Sequence, residues 1–215
     1  MNNCIDELWL VDLDDTLVKK SVMNELLLKL CSPREREQLR RHNQERLANQ
    51  QSDSGAIYNP SAYLDEPEKT LAYFVEQSAG LSEYIYPDAA RFLQRLPAGK
   101  AIVFSFGAKS WQRAKFQALE SNVPMVVIDH SDKTKELRNS FQEGAYHIGD
   151  LIAASVVLVD DRYYSFTGFD ELINARGIFL DRSEFAGAHA DDHRKSTTLL
   201  PYNVSVISSL DQIHI

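Results

Sequence analysis

The sequence predicts an α/β architecture, a parallel β-sheet carrying helices and interrupted near its start by a helical segment. Three observations carry this. Apolar runs suited to strands covered on both faces recur at Leu8-Trp9-Leu10-Val11, Ala101-Ile102-Val103-Phe104, Met125-Val126-Val127-Ile128 and Val156-Val157-Leu158-Val159. From residue 86 to residue 213 such runs alternate with segments of helical periodicity, the pattern of a parallel sheet with helices on its faces. Residues 19–85 break that alternation and contain no convincing strand.

Taken in order, the first run leads into Asp12-Leu13-Asp14-Asp15-Thr16. Asp12 and Asp14 are two apart, so on an extended backbone their carboxylates project to one side. Like charges held that close call for a cation, a proton or a reaction. On its own the segment reads equally well as a polar turn after a strand. Met23 to Cys31 is a short helix, and Ser32-Pro33-Arg34-Glu35 is a capping box that opens a polar helix running to about Gln50. Residues 51–63 read as loop. Asp65-Glu66-Pro67 starts a further helix with Leu71, Phe74 and Val75 on one face, ended by Gly80. Asp88–Leu96 and Ser110–Leu119 are helices by the spacing of Ala89, Phe92, Leu93 and Leu96, then of Trp111, Ala114, Ala118 and Leu119. Trp9 and Trp111 read as packing residues. Strands at Gly177–Leu180 and Val204–Ile207 complete the scaffold, their ends outside the acidic cluster.

The strand ends carry the chemistry. Ser105-Phe106-Gly107 follows the second run, a polar loop with Lys133 follows the third, and Asp160-Asp161 follows the fourth. Open α/β sheets bind ligands in the crevice beyond the carboxyl ends of their strands. Four coincident placements weigh more than any one motif. Two acidic features are set aside. Gly149-Asp150 follows Glu143–His147, which does not read as a buried strand, and Asp191-Asp192 with His189 and His193 reads as a solvated loop.

With these residues in that order, the chain resembles the haloacid dehalogenase-like hydrolases, in their phosphatase branch. Asp12, Asp14 and Thr16 match the first motif, Ser105 with Gly107 the second, Lys133 the third and Asp160-Asp161 the fourth. Lys135 competes with Lys133 for the third. The resemblance implies a Rossmann-like core over 1–18 and 86–215, with a helical cap over 19–85 between the first and second motifs. It says little about the cap itself, whose Arg34, Arg36, Arg40, Arg41 and Arg46 read more readily as a solvated, mixed-charge helix than as an anion-selecting surface. Lys19 and Lys20, nearer the first motif, are better placed to touch a substrate.

Composition bounds the function. A chain of 215 residues, 44% hydrophobic and 25% charged, is ordinary for a folded protein with a sizeable core. A net charge of −8 argues against a general nucleic-acid binder. Cys4 and Cys31 form neither a disulfide framework nor a zinc motif, and the opening MNNCIDE is unlike a secretory signal, so a reduced, cytoplasmic setting without membrane attachment is expected.

Four carboxylates in one crevice, with oxygen donors only, favour a hard cation such as Mg²⁺. By resemblance, Asp12 is the nucleophile and forms an aspartyl-phosphate, while Asp14 protonates the leaving oxygen and later activates water. Ser105, Phe106, Gly107 and Lys133 hold the phosphate. The metal is held by the Asp12 side chain, the Asp14 backbone carbonyl and Asp160, with Asp161 supporting. Asp14 is expected to have a pKa raised by its acidic neighbours. The expectation is a Mg²⁺-dependent phosphatase acting on a small phosphorylated metabolite. A phosphotransferase or mutase of the same family, and a non-catalytic binding protein on the same fold, remain as alternatives.

Overall fold

The computed structural model describes residues 4–48, 57–182 and 200–215. Strand β1 (Ile5–Val11) is followed by helices α1 (Lys20–Leu30), α2 (Pro33–Ala48) and α3 (Pro67–Ser78). The alternating part comprises α4 (Pro87–Arg95), β2 (Ala101–Phe106), α5 (Lys109–Gln117), β3 (Met125–Ile128) and α6 (Lys133–Ser140). It continues through β4 (Phe141–Gln142), β5 (Ala145–Ile148), β6 (Leu151–Asp160), β7 (Ala175–Leu180) and β8 (Val204–Ile207). Among the described residues no helix is long and apolar enough to cross a membrane.

The six strands β3-β2-β1-β6-β7-β8 lie side by side and all run parallel. This is the Rossmann-like arrangement, and each apolar run of the sequence supplies one of its strands. The all-apolar character follows from two cores. Trp9, Val11, Val103, Val157 and Val159 enter one cluster with Phe92 and Trp111, whereas Leu8, Leu10, Phe104, Val156 and Leu158 enter the other with Leu137 and Phe166. Successive side chains alternate across the sheet, so a strand covered on both faces has no polar position to offer. Strand order reverses at β1, which opens a crevice beyond the carboxyl ends of β1, β2 and β6.

The segment between β1 and α4 leaves and returns at one point. Val18 bridges Ile85, Lys19 N–H donates to the Tyr84 carbonyl at 2.8 Å, and Tyr86 N–H donates to the Leu17 carbonyl at 3.1 Å. Met23, Leu27, Leu71 and Phe74 share the apolar cluster of Trp9 and Val11, and the Phe74 ring lies 4.8 Å from that of Trp111. The capping box forms as its residues require. Glu35 accepts from Ser32 N–H at 2.8 Å, and Ser32 Oγ accepts from Glu35 N–H at 3.3 Å.

The stretch Glu143–His147, which does not read as a buried strand, leads into a half-buried one: Ala145–Ile148 forms β5, antiparallel to the start of β6. Tyr146 and Ile148 are buried while His147 is exposed, so this is a half-buried hairpin strand and lacks the continuous apolar signal of the others. Gly149 and Asp150 form its exposed turn and contribute nothing to the crevice. Asp191, Asp192, His189 and His193 lie outside the described residues.

Candidate active site

The crevice is lined by Asp12, Asp14, Ser105, Phe106, Gly107, Lys133 and Asp160. Strand ends β1, β2 and β6 and the first turn of α6 therefore converge as the sequence order implied. Lys20, Tyr58, Trp111, Gln112, Lys115, Ser131, Arg162, Tyr164 and Ser165 complete the lining. The cavity volume is about 60 Å³. One water needs ~10–15 Å³ on that measure, so the space suits a small anion with a few waters.

Asp12 leaves β1 with its N–H donated to the Val159 carbonyl at 2.9 Å, which ties its backbone to β6. Asp12, Asp160 and Asp161 each turn a carboxylate oxygen inward, all within 4.8 Å of one another and all buried. Lys133, itself only 3% exposed, donates to Asp12 Oδ1 and to Asp160 Oδ2, the latter at 2.6 Å. Asp160 Oδ1 accepts from Arg162 N–H at 2.8 Å, and Thr16 Oγ1 reaches Asp161 Oδ1 at 3.5 Å. Burial pushes the Asp12 carboxyl up from 3.8 to about 6. Asp160 and Asp14 push the same way, and Lys133 opposes them without cancelling them. Burial, then the neighbouring Asp160 charge, raises Asp161 well above the usual carboxylate range. For Lys133 burial works against the ammonium, but Asp12 and Asp160 outweigh it and hold the charge on. Three oxygen donors this close, two with raised pKa values, fit a hard divalent cation. Asp12, Asp160 and Asp161 are the side chains able to hold one.

Asp14 departs from expectation. Its carboxylate is turned from the triad toward Lys115, which donates to Oδ1, while Gln112 Nε2 donates to Oδ2 at 3.3 Å. Burial alone would raise this carboxyl, but Lys115, followed by Lys20 and Arg162, holds it down at about 2. The expected upward shift is therefore reversed. The upward push of burial is outweighed by a lysine 101 positions away. Lys115 is only 1% exposed. A signal for it existed, since it falls on the same helical face as Trp111, Ala114 and Ala118, and a lysine inside an apolar stripe needs a partner.

On β2, Ser105 Oγ is buried and has no hydrogen-bond partner among the described residues, an acceptor or donor awaiting a group in the crevice. Gly107 has φ +145, and a Cβ there would collide with the Gln112 amide, so the turn after Ser105 admits glycine alone. Gln112 Nε2 also donates to the Phe106 carbonyl at 2.8 Å, joining the β2 turn to Asp14. Lys133 is buried in the crevice, whereas Lys135 is exposed, its N–H taken by the Asp132 cap at 2.8 Å.

The end of β7 does contribute. Buried Arg182 donates to the Thr16 carbonyl at 2.8 Å and to Asp88 Oδ1 at 2.9 Å, and lies 3.8 Å over the Tyr86 ring. It thereby clamps the Asp12–Thr16 loop to the start of α4. The sequence places this strand in the scaffold, its end outside the acidic cluster, and Arg182 indeed supports the loop without lining the crevice. Of the α2 arginines, Arg36 donates to the Leu28 and Cys31 carbonyls and Arg41 pairs with Glu37 at 3.6 Å. Arg34 and Arg40 are exposed, and the side chain of Arg46 lies outside the described part. None of the four described arginines lines the crevice.

The sequence matches no protein-family model and no curated protein. The structure, however, is similar to two solved ones along nearly the whole chain. A protein of Burkholderia xenovorans assigned to the haloacid dehalogenase-like hydrolases superposes with a TM-score of 0.64 at 17% identity, covering 96% of this chain and 94% of that one. YfnB of Bacillus subtilis, assigned to the same hydrolases and solved bound to magnesium, superposes with a TM-score of 0.55 at 13% identity, covering 98% and 97%. The chain thus has the fold of the haloacid dehalogenase-like hydrolases, with a buried aspartate cluster at its crevice that could bind a metal.

Proposed function

We propose that the protein is a divalent-metal-dependent phosphatase, Mg²⁺ best, that hydrolyses a small phosphomonoester through an aspartyl-phosphate on Asp12. The observation that carries this reading is the convergence of Asp12, Asp160 and Asp161 within 4.8 Å, beside a crevice whose lining includes Ser105, its Oγ without a partner among the described residues. Residues 19–85 act as the cap over the crevice, contributing Lys20 and Tyr58 to its lining.

Asp12 attacks phosphorus through a carboxylate oxygen, forming the acyl phosphate as the bond to the leaving oxygen breaks. Transfer spreads negative charge over the equatorial oxygens, so stabilisation of that charge is the main task. Ser105 Oγ, the backbone N–H groups of Phe106 and Gly107, and the Lys133 ammonium, all from residues of the crevice lining, take that role in this reading. When bound at the triad, Mg²⁺ supplies the remaining neutralisation and keeps Asp12 ionised. Asp14, ionised beside Lys115, is free to accept a proton from water in the second half-reaction, which releases phosphate, although its low pKa makes it a weak base for that step. As an acid in the first half it starts from a low pKa, so leaving groups that need little protonation are favoured.

The test is phosphate release from p-nitrophenyl phosphate by the purified protein, with and without Mg²⁺. Release that stops on chelation and returns with Mg²⁺, and that is absent in Asp12→Asn, is the expected result. Full activity after exhaustive chelation would overturn the metal dependence. Transfer to a sugar hydroxyl, read by product analysis, would recast the enzyme as a phosphotransferase.

A further inference from the structure

The crevice holds more positive charge than phosphoryl transfer has so far used. Lys133 is engaged by Asp12 and Asp160, and Lys115 by Asp14. Lys20, the first residue of α1, and Arg162, just past the end of β6, also line the crevice. Among the described residues neither has a carboxylate within the 4.0 Å of an ion pair. The Arg162 guanidinium instead donates to the Tyr164 hydroxyl and sits 5.5 Å over that ring. The two cations are close enough to feel each other. The Lys20 ammonium is pushed down to about 8, first by burial and then by Arg162, against the pull of Asp14 and Asp15. Like charges held together in a partly dehydrated crevice carry a standing cost that an anion relieves.

Their position says which anion. Lys20 and Arg162 line the same crevice as Asp14, and the Lys20 backbone N–H donates to Oδ1 of Asp15, the next residue, at 3.2 Å. Asp14 is the residue that handles the leaving oxygen. The phosphoryl group itself belongs to the wall of Ser105, Gly107 and Lys133. The cations therefore flank the leaving half of the substrate.

Resting on the phosphatase reading above, we propose that Lys20 and Arg162 form an anion subsite, and that the substrate is a phosphomonoester whose alcohol half carries a second anionic group, a carboxylate or a further phosphate. The subsite selects such a substrate by charge-assisted hydrogen bonds to the leaving half. Tyr164, exposed at its outer edge, lines the same crevice and holds the Arg162 guanidinium through its hydroxyl.

Three compounds test this by calorimetric titration with Mg²⁺ present, in the Asp12→Asn background so that none is consumed. Glycerol 3-phosphate has one anionic group, 3-phosphoglycerate replaces its hydroxymethyl by a carboxylate, and glycerol 1,3-bisphosphate adds a second phosphate. At least one of the two-anion compounds should bind about tenfold or more tighter than glycerol 3-phosphate, the yield of one added charge-assisted contact. The tighter of the two identifies the second anion. The advantage should fall to about twofold or less on adding Lys20→Gln or, separately, Arg162→Gln, while glycerol 3-phosphate affinity changes little. Equal affinity for all three compounds overturns the subsite, as does an advantage that survives both substitutions or undetectable binding of both two-anion compounds at about 10 mM. Phosphate release from p-nitrophenyl phosphate by the wild-type protein separates the two claims. Discrimination without release leaves the subsite and removes the phosphatase reading, and release without discrimination does the reverse.

Discussion

Lys133 and Lys115 are both buried, and each donates to one of the two aspartates of the first motif, yet Asp12 is raised to about 6 while Asp14 is held at about 2. The difference lies in how many acids each ammonium serves. Lys133 is shared between Asp12 and Asp160 with Asp161 close by, so repulsion and burial exceed the attraction of one charge. Lys115 has Asp14 to itself, and Lys20 and Arg162 add to its effect. A lysine beside a buried carboxylate therefore does not fix the direction of its pKa; the local ratio of acids to cations does. The consequence is a difference in charge state. Asp12 needs one more positive charge beside it to be fully anionic, whereas Asp14 is ionised without one. On the phosphatase reading proposed above, that ties the attacking group to the cation site and leaves the proton-handling group independent of it.

The largest expected effect separates the two acids by chemistry. Asp12→Asn should lower phosphate release by on the order of 10³-fold or more, since no nucleophile remains. A variant that kept wild-type turnover would remove the role given to every other residue in the crevice.

Next comes removal of the shared ammonium. Lys133→Ala leaves two buried carboxylates without their common partner and should cost about 3–5 kcal/mol, read from chemical denaturation in the absence of metal. Lys135→Ala, at an exposed position, should stay within about 0.5 kcal/mol. Similar losses for the two would move the third motif by two residues.

Stability should then show the opposite signs directly. Asp14 has a folded pKa below its ordinary 3.8, so its contribution is present above that pH and is lost as pH falls through about 2. Asp12 has a folded pKa above its ordinary 3.8, so it carries a penalty that is full above about 6 and gone below 3.8. At pH 7 with chelator, Asp12→Asn should therefore stabilise the protein and Asp14→Asn destabilise it, each on the order of 2–3 kcal/mol. By about pH 4 the gain from Asp12→Asn should have vanished. Changes of the same sign would break the contrast between the two lysine contacts.

The smallest effect sharpens it. Lys115→Met keeps the volume of a buried side chain while freeing Asp14 to rise toward the ordinary carboxylate range. Turnover of alkyl phosphates, which need a protonated leaving group, should improve about three- to tenfold relative to aryl phosphates. An unchanged ratio would mean that Lys115 does not control the acid step.

What could be read beforehand follows the same physical divide. β1, β2, β6 and β7 announce themselves because the stretches of each that are covered on both faces are runs of consecutive apolar residues. Asp12, Ser105, Lys133 and Asp160 stand out because each interrupts or follows such a run at its carboxyl end. β5 does not announce itself, since Tyr146 and Ile148 alternate with exposed neighbours over only four residues. The Asp14 environment is illegible for a different reason. Sequence shows the acids adjacent to it along the chain, whereas its electrostatics come from Lys115 on α5, Lys20 on α1 and Arg162 after β6. Arg182 is hidden likewise, its contact with the Thr16 carbonyl spanning 166 positions. Chain neighbours are visible in a sequence, and spatial neighbours only in the fold.

The most direct test of Asp12 as the attacking group uses the Asp14→Asn protein, in which the nucleophile is intact and the base for water is gone. Incubated with Mg²⁺ and an aryl phosphate, whose leaving group needs no acid, it should accumulate the acyl phosphate. Mass spectrometry after an acid quench should then find one phosphoryl adduct on the peptide that contains Asp12, absent from an Asp12→Asn/Asp14→Asn control. Phosphate release by Asp14→Asn at the wild-type rate with no adduct on that peptide would contradict the covalent route.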